Sequence, residues 1–556
     1  MYLRTIQRRN RDGSVVRYVQ LAHNHWDPKS QVAKAEVLYN FGREDELDRD
    51  AVRRLIGSLE RALPPEETLQ LQAPELRFLE SRPMGGTFLL DGLWQRLGVD
   101  GILNRLGSGR KAVRNFERVC FAMVANRALA PASKLAGATW VNQQTVIPGL
   151  AEVDEDQCYR ALDSLLAMES EVAEAVYWAL AELIRLEVDL IFSDTTSTYF
   201  AVDQADPDTE AGLGFRRSGH SKDHRPDRPQ VVIGMAVTRG GIPIRVWGWP
   251  GSQADMSVVP QVKAELGAWK LNRVVWVLDR GFNSEEDRTE LRRHGGHYIV
   301  SEKLRSRNTD PQAVLSCPGR YRWVAPNLAV KDVELRHGSK VERFVLCRNS
   351  EEAARDAAVR QRLVDQLEQL IRGRDRSSQK RRWQLLGELR TKPGLNRFVA
   401  ATEDGYLGVD RRAMAAEAHL DGKFVLRTSD RRLSAEEVAL GYKQLLEVER
   451  GWRDLKHHLD LRPVYHPKED RIRAHVVLCW LSLLLIRLAE NETHDTWRNL
   501  RRELEKMHLG RFSGPHGDVL QRTESTSHQQ AIFRTLQVPE PPTFLHLEAW
   551  PQSLSA

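Results

Sequence analysis

The sequence predicts an α/β fold whose core is interrupted by an insertion, and three observations carry that expectation. An apolar run, Val188–Ser193, ends on Asp194, and a nearly continuous one, Arg273–Leu278 (RVVWVL), ends on Asp279. Between them two β-rich runs, Gln230–Thr238 and Ile242–Trp249, flank the turn-forming pair Gly240-Gly241. Near-continuous apolar runs mark strands covered on both faces, and a turn pair between β-rich runs marks a hairpin. Helices over Asp255–Leu266 and Ser284–Arg293 and a strand over His297–Ser301 complete the series. Strand, hairpin, helix, strand, helix, strand is the order of an RNase H-like core, which is expected to begin over 187–304.

The remaining elements follow from the same periodicities. Residues 1–63 read as a small α+β segment: Tyr2–Arg8 and Val15–Ala22 flank Asp12-Gly13, Ala33–Tyr39 adds a third strand, and a helix follows from Asp48 to Leu63. Pro64-Pro65 opens a linker. Residues 76–186 are helical, a candidate DNA-binding region in which Arg105, Arg110, Lys111, Arg114 and Arg118 either meet phosphates or form a solvated face. After Lys303 the core is interrupted by a β-rich insertion over 305–430. It has strands at Arg320–Val324, Val341–Leu346 and Phe424–Arg427, a charged helix at Glu351–Arg372 and a basic run from Arg372 to Arg382. The core's last part, 431–490, opens with Ser434 and Glu437 in capping-box spacing, and its helix is expected to run unbroken to Leu459. Val476–Ile486 is too short to span a bilayer, lies between Arg473 and Arg487, and reads as a buried core helix. Residues 491–556 carry no readable pattern and are expected to be a tail packed on the surface or partly disordered.

A chain of 556 residues exceeds a single core, so several domains are expected. Lys and Arg exceed Asp and Glu by 82 to 76, a modest basic balance compatible with nucleic acid without demanding it. The five cysteines are isolated, with no CxxC pair, which argues against a disulfide framework or a thiolate zinc site. Met1-Tyr2-Leu3-Arg4 has no signal-peptide character, so a soluble cytoplasmic protein with no membrane partner is expected.

Chemistry concentrates on three acids. Asp194 and Asp279 each follow a buried-type strand, where α/β folds present functional groups from a rigid backbone. In the helix from Ser434 to Leu459, Tyr442, Leu445, Glu449, Trp452, Lys456 and Leu459 recur every three or four residues and share a face. A carboxylate on such a stripe is exposed, paired or metal-bound, so Glu449 is either a ligand or the partner of Arg453 or Lys456. Three hard oxygen donors suit Mg²⁺ or Mn²⁺, and a pair of such ions serves in-line phosphoryl transfer. His457, His458, His466 and His475 have no established ligand spacing and read as surface or phosphate-contacting residues.

The stretch from Tyr442 through Glu449 to Lys456 resembles the Y-x2-R-x3-E-x6-K signature of bacterial insertion-sequence transposases that cut DNA through hairpin intermediates. Asp194-Thr-Thr is similar to that family's D-x-T, and Asp279-Arg-Gly-Phe282 to its D-x-G-[FY]. Leu445 stands where the family has arginine, leaving Arg450 or Arg453 to take its place. The resemblance implies a DDE transposase in which Asp194, Asp279 and Glu449 hold two Mg²⁺ or Mn²⁺ ions. Tyr442 and Lys456 would then contact phosphates, and an aromatic platform would steady a flipped base. Trp323 is the candidate platform, a core tryptophan being the alternative. The implied partners are double-stranded DNA at terminal inverted repeats and at the target, with a homodimer in the DNA complex. A hydrolytic nuclease of the same fold and a domesticated, inactive DNA-binding protein are the competing readings.

Overall fold

The computed structural model describes residues 1–549 apart from 11–13, 29–30, 61–76, 109–114, 185–189, 211, 224, 239, 270–273, 279–283, 294–295, 306–309, 339, 463, 465 and 515–516. The chain divides into two compact units. One comprises Met1–Glu80, Arg511–Leu520 and His546–Ala556, the other Ser81–Gly510 and Gln521–Leu545. In the first, Tyr2–Arg9, Val15–Asp27 and Val32–Arg43 form a three-stranded antiparallel sheet, followed by a helix at Arg49–Glu60. These strands run further than the alternation suggested, and the Asp12-Gly13 turn lies outside the described residues.

The second unit is built on a nine-stranded sheet. Its order is Arg322–Ala325, Leu328–His337, Lys340–Asn349, Lys423–Thr428, His297–Ser301, Val275–Leu278, Leu190–Tyr199, Gln230–Val237 and Pro243–Pro250. Val275–Leu278 runs parallel to both of its neighbours, and the other pairings are antiparallel. The apolar runs explain the middle of this sheet: Val275, Val277, Ile299 and Val300 are fully buried, as expected of strands covered on both faces.

The insertion, expected to be β-rich, divides in two. Its strands Arg322–Ala325, Leu328–His337, Lys340–Asn349 and Lys423–Thr428 continue the core sheet. Its helices Ser350–Ile371, Gln379–Thr391 and Arg411–Ala418 lie in the other part, where Val364, Leu367, Leu389, Leu395 and Phe398 make a separate small core.

The helix Glu469–Thr493 explains why the sequence is apolar around 476–486. It packs against the helices Phe116–Leu129 and Glu155–Leu166 on one side and the strand Pro243–Pro250 on another, and Trp480 Nε1 donates to the Pro243 carbonyl at 2.9 Å. A helix covered on all sides is apolar all round. It is long and apolar enough to cross a membrane, yet 94 % of its most apolar window is buried inside the protein. The region after 490, expected to be a tail, contains the capped helices Trp497–Leu504 and Ser527–Thr535, with Trp497, Leu500, Ile532 and Phe533 buried.

Candidate active site

Leu190–Tyr199 is the central strand of the site. It pairs in parallel with the next core strand (Leu190 with Val275, Phe192 with Val277) and antiparallel with Gln230–Val237, where Asp194 stands opposite Met235. Asp194 therefore does not end the strand, as the sequence suggested. The strand continues for five residues through Thr195, Thr196, Ser197 and Thr198, all buried. Their hydroxyls hide the continuation from an apolar pattern, although β-branched threonines suit a strand well. Asp279 lies outside the described residues.

The loop before Gln230 closes over this strand, and nothing in the sequence pattern singled it out. Lys222 Nζ donates to the Thr195 carbonyl at 2.7 Å and to Thr195 Oγ1 at 2.8 Å, and the Lys222 backbone N–H donates to Ser197 Oγ at 2.8 Å. Asp223 is gripped from two sides, by Lys456 Nζ at 2.8 Å and by the Arg462 guanidinium at 2.9 Å. The Arg462 guanidinium also sits 5.6 Å from the centre of the Tyr199 ring. Burial pulls the Lys456 ammonium below the ordinary lysine value, with Asp223 opposing the shift. The charged segment Lys222-Asp223 was the available signal: a cation and an anion side by side just ahead of a strand covered by others.

The third acid comes from a helix that is not continuous. Ala435–Lys443, capped by Ser434 and Glu437 as expected, ends at Gln444, and a second helix runs from Leu445 to His457. The expected single helix to Leu459 is thus broken between Tyr442 and Glu449. The buried face of the second helix is Leu445, Val448, Gly451, Trp452 and Leu455. Glu449 sits beside that face and is exposed. Among the described residues it has no ion-pair partner, so the expected alternative, a salt bridge to Arg453 or Lys456, is not formed. Lys456 is engaged with Asp223 instead.

Gly451 brings this helix close to the sheet. A Cβ there would lie 2.8 Å from Met235 Cε, and Met235 is the cross-strand neighbour of Asp194. The turn carrying Glu449 is in this way packed at the level of Asp194 on the adjacent strand. Among the described residues, no three His, Cys, Asp or Glu side chains gather as a metal-binding group.

The other candidates separate clearly. Leu445, where the signature has arginine, is buried. Arg450 pairs with Glu490 at 3.1 Å, whereas Arg453 is exposed and unpaired among the described residues. Tyr442 packs near Phe424, with ring centres 6.1 Å apart. Trp323 is 60 % exposed on the strand Arg322–Ala325, which removes the alternative of a core tryptophan. His466 and His475, expected at the surface, are buried with their rings 5.6 Å apart. Burial holds the His466 imidazole at about 4 and that of His475 well below its ordinary value.

The chain is similar to known transposases. A family model described as "Transposase DDE domain" matches residues 197–485, more than half of the chain, and one described as "IS1634 family transposase, N-terminal domain" matches residues 3–69. The first match begins three residues after Asp194 and includes the positions of Asp279 and Glu449. No curated protein matches. Among solved structures, the chain is similar to a piggyBac transposase synaptic complex with hairpin DNA at 9 % identity. That likeness covers 75 % of this chain and 79 % of that one, with a TM-score of 0.34.

Proposed function

Because the chain belongs to the family of transposases with a DDE domain, we propose that it cuts insertion-sequence ends and joins them to target DNA with Asp194, Asp279 and Glu449. DNA phosphoryl transfer assisted by divalent cations is the family's activity; the cut-and-paste route through hairpin intermediates is our reading for this chain. The family match carries it, since the matched residues 197–485 include the positions of Asp279 and Glu449, and the helix bearing Glu449 packs against the strand bearing Asp194. Two further observations support it. Paired residues of the strands Leu190–Tyr199 and Val275–Leu278 differ by 85 in number, as 190 does from 275, and 279 differs from 194 by the same 85. The order of the first five core strands along the sheet, with a hairpin on one side of Leu190–Tyr199 and parallel strands on the other, is that of an RNase H-like core.

An exposed carboxylate with a lysine and an arginine on its own helix, yet paired with neither, fits a ligand role for Glu449. Together with Asp194 and Asp279 it would hold two Mg²⁺ or Mn²⁺ ions, a donor set of hard oxygens that these ions prefer. When bound, the ions supply positive charge for the attacking and departing oxygens of an in-line transfer. The chain's own work is positioning, because such transfers ask little covalent chemistry of the protein. Lys222 pins the loop 221–223 to Thr195, the residue after the first acid. Lys456 holds that loop through Asp223 and meets a phosphate only by leaving it. Arg453, one helical turn beyond Glu449 and without an ion-pair partner among the described residues, takes the phosphate contact that Leu445 cannot make. Tyr442 and Arg450 line the approach, and Trp323 offers an exposed ring for a flipped base beside a hairpin end. In the synaptic complex the chain acts as a homodimer.

The test is cleavage of duplex DNA bearing the element's ends, in Mg²⁺. Asp194→Ala, Asp279→Ala and Glu449→Ala are each expected to abolish cleavage while DNA binding persists. Full cleavage by any one of them removes that residue from the site, and linear products alone on denaturing gels would end the hairpin route.

A further inference from the structure

The strongest unassigned feature is a cleft of about 890 Å³ between the helices Leu445–His457 and Trp497–Leu504. We infer that this cleft is a track for the DNA backbone beyond the catalytic acids, held by Arg453, Arg498 and Arg502. The inference rests on the transposase reading and extends it to the region after 490, to which the sequence assigned no role.

The charge balance of the walls makes the case. Three acids line the cleft, and each is already compensated. Asp454 accepts from Arg487 at 2.6 Å and lies 2.8 Å from His458 Nδ1. Glu490 binds Arg487 and Arg450, and also accepts from the Trp497 backbone N–H at 2.8 Å. Glu505 pairs with Arg501 at 2.6 Å. Arg453, Arg498 and Arg502 are exposed and, among the described residues, have no ion-pair partner. The cleft therefore presents three uncompensated guanidinium groups, two of them four residues apart on one helix and so on one face.

That chemistry selects the occupant. Guanidinium groups bind phosphate oxygens in bidentate fashion, and backbone phosphates are the usual recipients of arginine contacts on DNA. A protein partner calls for aromatic or aliphatic anchors at the centre of its interface. Here Trp497, the tryptophan in the wall, is buried with its indole N–H bonded to the Ala128 carbonyl at 3.0 Å, so it offers no such anchor. Arg453 lies one turn beyond Glu449, so a strand held at the acids would continue into the cleft.

The experiment measures binding of the full chain to a short duplex of arbitrary sequence, without divalent metal, as a function of salt. Every phosphate no longer neutralised lowers the slope of log K against log salt by about 0.9. The triple variant Arg453→Gln, Arg498→Gln, Arg502→Gln is expected to lower it by about 2.7 with thermal melting unchanged. A control with the same charge change on the insertion helices, Arg355→Gln, Arg362→Gln, Arg390→Gln, is expected to lower it less. Wild-type binding with an unchanged slope in the triple variant, or an equal fall in the control, overturns the track and leaves the transposase reading standing. A wild-type chain that binds no DNA overturns both.

Discussion

Arg118 and Arg498 lie on helices of the same unit and meet opposite fates. Arg118, on Phe116–Leu129, is clamped by Asp91 at 2.6 Å and Glu117 at 2.5 Å, stacks 4.9 Å over Phe121 and is largely buried. Arg498, on Trp497–Leu504, is exposed and meets no acid among the described residues. By sequence, the arginines of 76–186 were candidates for phosphate contact, and the region after 490 was silent. The structure engages Arg118 in an internal network, while Arg498 and Arg502 have no ion-pair partner among the described residues; Arg110, Lys111 and Arg114 lie outside the described residues. What separates the two cases is the placement of carboxylates on neighbouring elements, which a local charge pattern does not carry.

Arg118→Met leaves Asp91 and Glu117 as uncompensated buried acids, and Asp91 is already pushed up by burial. Loss of one partner of a buried ion pair costs about 3–5 kcal/mol, to be read from chemical denaturation; a loss under about 1 kcal/mol would place Arg118 with the uncommitted cations. Lys134 is next. It is buried beside Arg127, Cys158 and Cys479, and desolvation holds its ammonium at about 7 against an ordinary 10.5. The folded state therefore disfavours the proton. The cost is fully present below about pH 7 and fades as pH rises towards 10.5, where the unfolded chain also deprotonates. Lys134→Met should stabilise by roughly 2–3 kcal/mol near pH 6, with the advantage over wild type shrinking towards pH 10. A gain independent of pH would mean that the amine is neutral or satisfied throughout. The smallest effect belongs to the free end: Arg498→Gln should change stability by less than about 0.5 kcal/mol, and a larger loss would reveal a structural role.

These contrasts also mark what the sequence could tell. The strands Val275–Leu278 and His297–Ser301, and the hairpin before them, were legible because burial on both faces forces near-continuous apolar runs. The capping box at Ser434 and Glu437 was legible because its two hydrogen bonds are local. The continuation of the first core strand past Asp194 was not, since Thr195 to Thr198 carry buried hydroxyls that read as the edge of a loop. Nor was the break at Gln444, where Gly441 in the last turn of the first helix is an ambiguous signal and no proline stands. Whether Glu449 is paired or exposed was not legible either, because it depends on which residues of other elements come near the helix Leu445–His457. The loop holding Asp223 between Lys456 and Arg462 was missed because its partners lie more than two hundred residues away.

The shared sheet has a last consequence. Because Lys423–Thr428 hydrogen-bonds to His297–Ser301, the inserted segment is woven into the scaffold and cannot be excised like a cassette. Its removal would uncover His297–Ser301 as a raw edge, with main-chain groups open to pairing with other chains. Shortened versions of this protein should therefore keep those four strands and trim instead among the helices 350–418, whose small core is their own.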